Sequence, residues 1–574
     1  MIRRSSRGLQ LLLISFCFLL GGILPVSSLA SVYYVASPGN GTSSGIQEAP
    51  VRMILRLLLE LNASIMAAGT ELPSEVVQWQ IFEGQVRHPD PPTDPLRGVD
   101  LHTTFTGPDG SDWTFFGFHD GGPLWRYRFA PKQPGRWRYT ARFSDGAAEV
   151  SGEFQCLPAP PGGPAPLVRW PANPIWFAVA GHADPLAVRS FHVGDRFFAA
   201  NFPAEQRAEF LTWAGEQGYG LLSVASHYLN RDAPGRGRTW ATPRLWDRTR
   251  RTVLHEEYAR LEVLLGEVGR AGFHVFPFGG FIGRASEAPA TPDDRDVYMR
   301  YTIARLAPFW NVMFNVAGPE PLWFPVGYRP PLTYAEINRL GEQIARWDPF
   351  GRLRTVHNAA GDDPFRFQPW ATFATLQGGP AEKSADFVAL HHWIFRNHTL
   401  DRPLYAQEVL WPGNYLNANL SPDEVRRKAL VLLFAGVGAI NFADMDGDSS
   451  SGYSGTLDPL VRRNEMHTAV REAWDFFERV PFGSLRPQWG GETGAVWLAD
   501  DGEYWGYWPA SFTANLPNQI QPGWMGEWHD PQARTPTLRF TVGEERQLAP
   551  PPSFPADAVI RLYRTSTLNP TSKP

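Results

Sequence analysis

The chain has 574 residues, a formal net charge of −5 and 13% aromatic residues, among them 22 Trp. That length exceeds one domain and suggests three or four, while scattered basic residues under an acidic balance give no footprint for nucleic acid or an anionic membrane. Two Cys are too few for a disulfide scaffold or a thiolate metal cluster.

Arg3, Arg4 and Arg7 precede an apolar run from Leu11 to Leu24, and small residues follow at Ser28 and Ala30. This is the pattern of a signal peptide over residues 1–30. The run is short for a membrane-spanning helix and no second run is long enough, so the expectation is export without stable membrane insertion after cleavage. The destination is then outside the cell, the periplasm or the cell surface. Cys17 lies in this leader, which leaves Cys156 alone in the mature chain. Residues 31–74 form a leader segment of unassigned structure. Its phrase VYYVASPGNGTSSGIQEAP resembles the opening cap of secreted right-handed β-helix proteins, including many polysaccharide lyases, but no strand repeat follows. MILRLLLELNASIMAAG then reads as an amphipathic helix.

Over residues 75–158 the pattern becomes β-rich: VVQWQIFEGQV, GVDLHTTFTGP, DWTFFGFHDG, LWRYRFAP, GRWRYTARFS and VSGEFQCL, separated by Gly, Pro and Asp turns. The spacing predicts an antiparallel sandwich of about 80–100 residues. GFHDGG, RYRFAP and PGRWRYTARF resemble a small immunoglobulin-like family of unknown function that precedes glycosidase-like barrels in bacteria. His119 and Asp120 read as the turn of a hairpin rather than as catalytic groups. A Pro-rich linker, Pro158–Pro166, closes the segment.

From 167 to 480 strands and helices alternate. Strands are predicted at Asp195–Asn201, Tyr219–Ala225, Phe273–Phe278, Asn311–Val316, Leu353–His357, Thr372–Gln377, Pro403–Gln407 and Gly438–Phe442, with Asp386–Trp393 competing for the sixth place. Helix-like runs between them open on Asp, Ser, Thr or Pro. Eight βα units in about 315 residues suit a (β/α)8 TIM barrel. Residues 481–566 return to strands, predicting a small C-terminal β-sandwich. Its WHDP and FPADAVIRLYR phrases resemble the C-terminal β domain that accompanies such barrels, sometimes labelled collagen-binding. Bracing the barrel is the role expected of it here.

In such barrels reacting groups stand at the C-terminal ends of strands. FWNVMFNVAGPE ends candidate strand four on Glu320, and RPLYAQEVLW ends candidate strand seven at Glu408. Strands four and seven face each other across an eight-stranded barrel, and two carboxyl groups about 5–5.5 Å apart serve a retaining double displacement. This arrangement resembles the largest clan of retaining glycoside hydrolases, closest to the bacterial apiosidase-like and cellulase-like barrels, over residues 75 to about 565. The resemblance implies that Glu320 is the acid/base and Glu408 the nucleophile. Many members of the clan carry Asn before the acid to hold the sugar 2-hydroxyl. Here that residue is Pro319, so Asn315 or Asn358 would have to serve or activity is lost.

Other polar residues expected at the mouth are Asn201, Ser226, His227, His357 and Gln377, with Trp323, Trp393 and Trp411 as candidate sugar platforms. Asp444, Asp446 and Asp448 alternate as in a calcium loop, but Ser449 and Gly455 stand where Gly and Glu are needed. His391 and His392, read as strand neighbours, point to opposite faces, so no metal and no cofactor is expected. The sequence predicts an exported glycoside hydrolase acting on a polysaccharide or oligosaccharide. The alternatives are a catalytically silent carbohydrate-binding or cell-surface protein on the same barrel, or a polysaccharide lyase. Oligomeric state is not legible.

Overall fold

The computed structural model describes residues 72–564 apart from 194–196, 225–243, 284–287, 290, 324–330, 359–361, 378–385, 412–419, 444–456, 458, 489–494 and 555–556. The signal-peptide and leader readings fall outside the described residues. No described helix is long and apolar enough to cross a membrane.

Alternation of apolar and polar residues builds the first β module. Five strands, Glu75–Val77, Leu101–Thr106, Asp112–Phe116, Gly135–Phe143 and Glu149–Leu157, make one sheet. Phe82–Arg87, Phe118–His119 and Leu124–Phe129 make a second. Along Leu101–Thr106 residues 101, 103 and 105 are buried and their neighbours are not, the period of a half-buried strand. The inward rings share one core, with Phe82 on Phe154 at 4.2 Å and Phe105 on Phe129 at 4.3 Å. Cys156 is free and buried in it, its thiol pushed up to about 11 by burial. Gly121 and Gly122 take φ of +99° and +54° in the turn after His119 and Asp120, a conformation costly for other residues.

The second region is parallel α/β. Its strands are β1 (Val188–Val193), β2 (Leu221–Val224), β3 (His274–Pro277), β4 (Phe314–Asn315), β5 (Arg354–Thr355), β6 (Ala374–Gln377), β7 (Leu404–Leu410) and β8 (Ala439–Phe442). Six of them form one parallel sheet in the order β3-β2-β1-β8-β7-β6, and β4 pairs with β5, also in parallel. The helices are α1 (Ala204–Glu216), α2 (His255–Arg270), α3 (Pro292–Leu306), α4 (Tyr334–Trp347), α5 (Phe387–Asn397), α6 (Pro422–Phe434) and α7 (Asn464–Phe477). Thr333 with Glu336 and Ser421 with Glu424 form capping boxes that satisfy the free N–H groups opening α4 and α6. The amino end of the sheet is apolar: Val188, Leu221, Phe276, Met313, Leu353 and Phe373 pack with Leu167 and Phe177. The last two come from a short antiparallel pair, Leu167–Arg169 with Phe177–Val179.

Two sequence expectations are corrected. Strand one is Val188–Val193 and not Asp195–Asn201. Gly194 splits an apolar stretch, and the half before it carries the pairing, while Phe197 and Phe198 pack as turn residues into the core. Asp386–Trp393 is no strand. Asp386 caps α5 by accepting the Ala389 N–H at 2.9 Å.

The third region is a six-stranded antiparallel sheet, Arg486–Gln488, Val496–Ala499, Glu503–Trp508, Ala558–Tyr563, Met525–His529 and Leu538–Thr541 in spatial order. Both β modules are bolted to helices by buried ion pairs. Arg128 grips Glu262 of α2 with two bonds of 2.8 and 3.0 Å, and Arg305 of α3 holds the same carboxylate and Asp120. Burial opposes ionisation of Glu262, but the two guanidiniums outweigh it and hold its carboxyl below the usual range. On the other side Arg426 of α6 grips Asp557 at 2.7 and 2.9 Å, and the Tyr507 hydroxyl donates to the same carboxylate at 2.9 Å.

Candidate active site at the carboxyl ends of the parallel strands

Side chains two apart on a strand share a face, and on β1 that face carries Ser190 and His192, both buried. Above the apolar layer it becomes polar. Ser190 Oγ donates to Asn441 Oδ1 at 3.1 Å and therefore accepts from the Tyr405 hydroxyl at 2.6 Å; Asn441 Nδ2 donates to Gln407 Oε1 at 2.9 Å. Thr355 and Thr375 meet at 3.0 Å. Nearer the mouth stand His192, Asn315, His357, Gln377 and Gln407, all buried. His192 packs on Phe278 at 5.0 Å and on Trp411 at 4.6 Å, and His357 packs on Phe278 at 4.1 Å.

Burial pushes both histidines down to about 3. For His192 the neighbouring His357 adds to the shift, and for His357 the Phe278 carbonyl and Gln377 oppose it. Both rings are therefore neutral at ordinary pH. Ser223 Oγ, His357 Nε2, Gln377 Oε1 and Gln407 Nε2 are buried without a well-aligned protein partner. Such atoms are uncommon in a folded interior, and four on one inner face suit a site that receives hydroxyl groups.

Glu320 follows β4 through Ala317–Gly318, which pairs in parallel with Ile282–Gly283. Its N–H donates to the His357 carbonyl at 3.0 Å, and its own carbonyl accepts from the Trp323 N–H at 3.1 Å. It is half-buried, with φ at +59°. A left-handed conformation costs a non-glycine residue about 1–2 kcal/mol, and residues held this way cluster at functional sites. Close packing fixes the approach. A Cβ on Gly318 would stand 2.7 Å from His357 Cβ, and one on Gly280, at φ +65°, would stand 2.5 Å from the Asn315 carbonyl oxygen.

Glu408 lies on β7 where the pairing with β8 slips. Ala406 pairs with Ile440 and Leu410 with Phe442, so three β7 residues lie between partners that are separated by one on β8. A bulge bends a strand locally.

The remaining candidates separate clearly. Asn315 donates Nδ2 to the Pro277 and Phe278 carbonyls at 2.9 and 2.8 Å and accepts the His357 N–H at 2.9 Å. It ties β4 to the segments beside it, with no donor left over for a sugar hydroxyl. His357 and Asn358 follow β5, Gln377 ends β6 and Trp411 directly follows β7, all buried. Trp323 is exposed by 60% in the turn after Glu320. Asn201 is exposed in a turn before α1, away from any strand end, because β1 stops at Val193. Trp393 is buried on α5, in the core around the sheet. His391 and His392 share that helix, so the argument from strand faces does not apply to them. No group of three His, Cys, Asp or Glu suited to a metal occurs among the described residues. Ser226, His227, Asp444, Asp446, Asp448, Ser449 and Gly455 lie outside the described residues.

Sequence reasoning missed His192 and the buried carboxyl of Asp363, and read Gln407, with Tyr405, only as a hydrogen-bonding neighbour of Glu408. The alternation in VRSFHV was a usable signal for the first. Asp363 carried none: it accepts the Phe365 N–H at 2.8 Å and the Thr375 N–H at 3.3 Å, and burial pushes its carboxyl up to about 7 against those bonds.

A family profile described as Domain of unknown function (DUF5060) matches residues 75–144. No curated protein matches the chain. Among solved structures, a candidate glycoside hydrolase of Bacteroides vulgatus ATCC 8482 is similar over 86% of this chain and 100% of its own, with a TM-score of 0.64 at 17% identity. A glycoside hydrolase family 5 protein of the same organism is similar over 70% of this chain and 94% of its own, with a TM-score of 0.50 at 12% identity. At these identities the likeness is one of fold.

Proposed function

We propose that the protein is an exported glycoside hydrolase that cleaves a polysaccharide or oligosaccharide by a retaining mechanism, with Glu320 as acid/base and Glu408 as nucleophile. The observation that carries this reading is the pair of strand-end glutamates: Glu320 held in a left-handed conformation after β4 and Glu408 in the irregular stretch of β7. In the first step the Glu408 carboxylate attacks the anomeric carbon while Glu320 protonates the departing oxygen. In the second, Glu320 takes a proton from water, which displaces Glu408 and restores the anomeric configuration. Polar atoms of His357, Gln377 and Gln407 would orient sugar hydroxyls, with Asn358, Trp323 and Trp411 nearby.

The scaffold is proposed to be a closed (β/α)8 barrel at 167–480, between an immunoglobulin-like sandwich at 75–158 and a C-terminal β domain at 481–566. Two contacts beyond the six-stranded sheet support closure. The Val275 N–H donates to the Asn311 carbonyl at 2.7 Å, bridging β3 to the run entering β4, and the Thr372 N–H donates to the Arg354 carbonyl at 2.8 Å, bridging β5 to the run entering β6. The glycoside hydrolase names of the similar structures support the reaction class.

A panel of aryl glycosides tests the reading. Hydrolysis with retained anomeric configuration by NMR is expected, and Glu320→Gln and Glu408→Gln should each lower turnover by about 10²–10⁴-fold with the melting temperature unchanged. Retained turnover in both variants sinks the assignment. The second reading, carbohydrate retention without turnover, is favoured by Pro319 and by the full engagement of Asn315. It gains if the wild type binds oligosaccharide and hydrolyses nothing.

A further inference from the structure

A cleft of about 350 Å³ opens where the sandwich meets α2, lined by Thr93, Asp94, His119, Thr252 and His255 among others. It contains none of the residues assigned to catalysis, and nothing in the proposed reaction uses it. Its size is near the lower end of ligand pockets, roughly 300–1,000 Å³.

Its chemistry is set by two imidazoles whose hydrogen-bond network assigns their tautomers. The Tyr301 hydroxyl donates its proton to the His119 carbonyl at 2.8 Å and accepts from Arg305 at 3.0 Å. Toward His255 Nδ1, 2.8 Å away, it can then only accept, so Nδ1 carries the proton. Burial, then His119 and Arg305, push His255 down to about 4, so the ring is neutral and its Nε2 is a lone pair. His119 Nε2 faces the Gly122 carbonyl at 2.9 Å and must donate to it. Burial lowers this group too, against the Gly122 bond and Asp120, which leaves Nδ1 as an acceptor. That Nδ1 is buried with no protein partner, in a side chain only 7% exposed. The two rings stand 5.1 Å apart.

The cleft therefore offers one open acceptor, His255 Nε2, beside threonine hydroxyls, while the acceptor nitrogen of His119 is closed off from solvent. It has no surplus of positive charge. Arg97 pairs with Asp94 and Asp294, Arg251 with both oxygens of Asp294, and Arg250 with Asp247 at 3.8 Å. An anion gains little from balanced arginines, and a metal would lack a third His, Cys, Asp or Glu among the described residues. Hydroxyl donors match the open lone pair.

We propose that this cleft is a second binding site, taking a neutral polyhydroxylated ligand the size of one sugar ring, at the junction of the sandwich and α2. The inference does not depend on catalysis. The test uses the full chain carrying Glu320→Gln and Glu408→Gln, labelled with ¹⁵N-histidine, with the His255 signal identified by its loss in His255→Phe. Methyl glycosides of neutral hexoses and pentoses are titrated, with glucuronate and inorganic phosphate as anionic arms. The expected result is a saturable shift of His255 Nε2 by at least one neutral glycoside, weakened at least tenfold when Thr252→Trp fills the cleft. Thermal melts of each variant confirm folding. The inference is overturned if no neutral glycoside moves the signal, if only the anions move it, or if a folded Thr252→Trp protein responds unchanged. Because catalysis is blocked throughout, binding here and failure of hydrolysis in the wild type are separately visible.

Discussion

The two ends of the parallel sheet are built to opposite rules. At the amino end Val188, Leu221, Phe276 and Phe373 meet Leu167 and Phe177 in a dry layer. At the carboxyl end the same strands present Ser190, His192, His357, Gln377 and Gln407, several with polar atoms left open. One residue of rise, about 3.3 Å, separates successive positions on a strand, so the change occurs within one or two side-chain layers. The difference teaches how stability and chemistry share a strand: the apolar layer supplies burial energy, and the polar layer uses it to hold unsatisfied groups that would otherwise be expelled.

The comparison can be broken from its apolar side first. Phe276→Ala removes a fully buried ring and should cost about 3–5 kcal/mol in chemical denaturation, with turnover per folded molecule preserved. Lost turnover without lost stability would show that the two ends do not divide the work. The ion pairs that anchor the β modules come next: Arg128→Met leaves Glu262 with one guanidinium and should cost about 3–5 kcal/mol by the same measurement, again without altering the pH dependence of turnover.

A smaller effect is read by pH. Asp363 has its folded pKa raised to about 7 by burial, so the folded state holds a proton that the unfolded state releases near 4. The Asp363 contribution to stability should fall as pH rises from about 4 to about 7, by a few kcal/mol at most, and Asp363→Asn should remove that contribution. His192 and His357 have folded pKa values depressed to about 3, so their contribution is lost as pH falls from about 6.5 through about 3. Melts of wild type and Asp363→Asn across pH 3–8 separate the two, because the opposing histidine contributions cancel in the difference between the proteins; a wild-type-minus-variant difference that does not fall between pH 4 and 7 contradicts the raised carboxyl. Smallest of all, Asn315→Ala should cost about 1–3 kcal/mol and lower turnover through movement of Glu320 rather than through substrate affinity, which kcat and KM separate.

Much of this scaffold could be read from the sequence because periodicity and caps agree. The runs 204–217, 333–347 and 421–436 all became helices, six of eight strands fell inside their predicted spans, and a seventh, β7, runs past its predicted end to Leu410. The failures have local causes. Around Gly194 two apolar halves were equally strand-like, and only pairing with β2 and β8 chose the first. In Asp386–Trp393 an apolar run too short to show its period was decided by the Asp386 cap. The site was legible as strand-end carboxylates and amides, but not in its division of labour. Asn315 reads the same whether it faces a sugar or three main-chain groups, and only the approach of β3 and β5 makes it a brace.

The slip of β7 against β8 has a consequence for how this region tolerates change. Substitution at Gln407, Glu408 or Val409 alters one side chain and leaves the count of residues intact. Deletion of one of them changes the phase of everything beyond, turning Leu410 and Trp411 out of their places against Ala443 and Phe278. Along this stretch the fold depends on the number of residues, while the proposed reaction depends on the identity of Glu408.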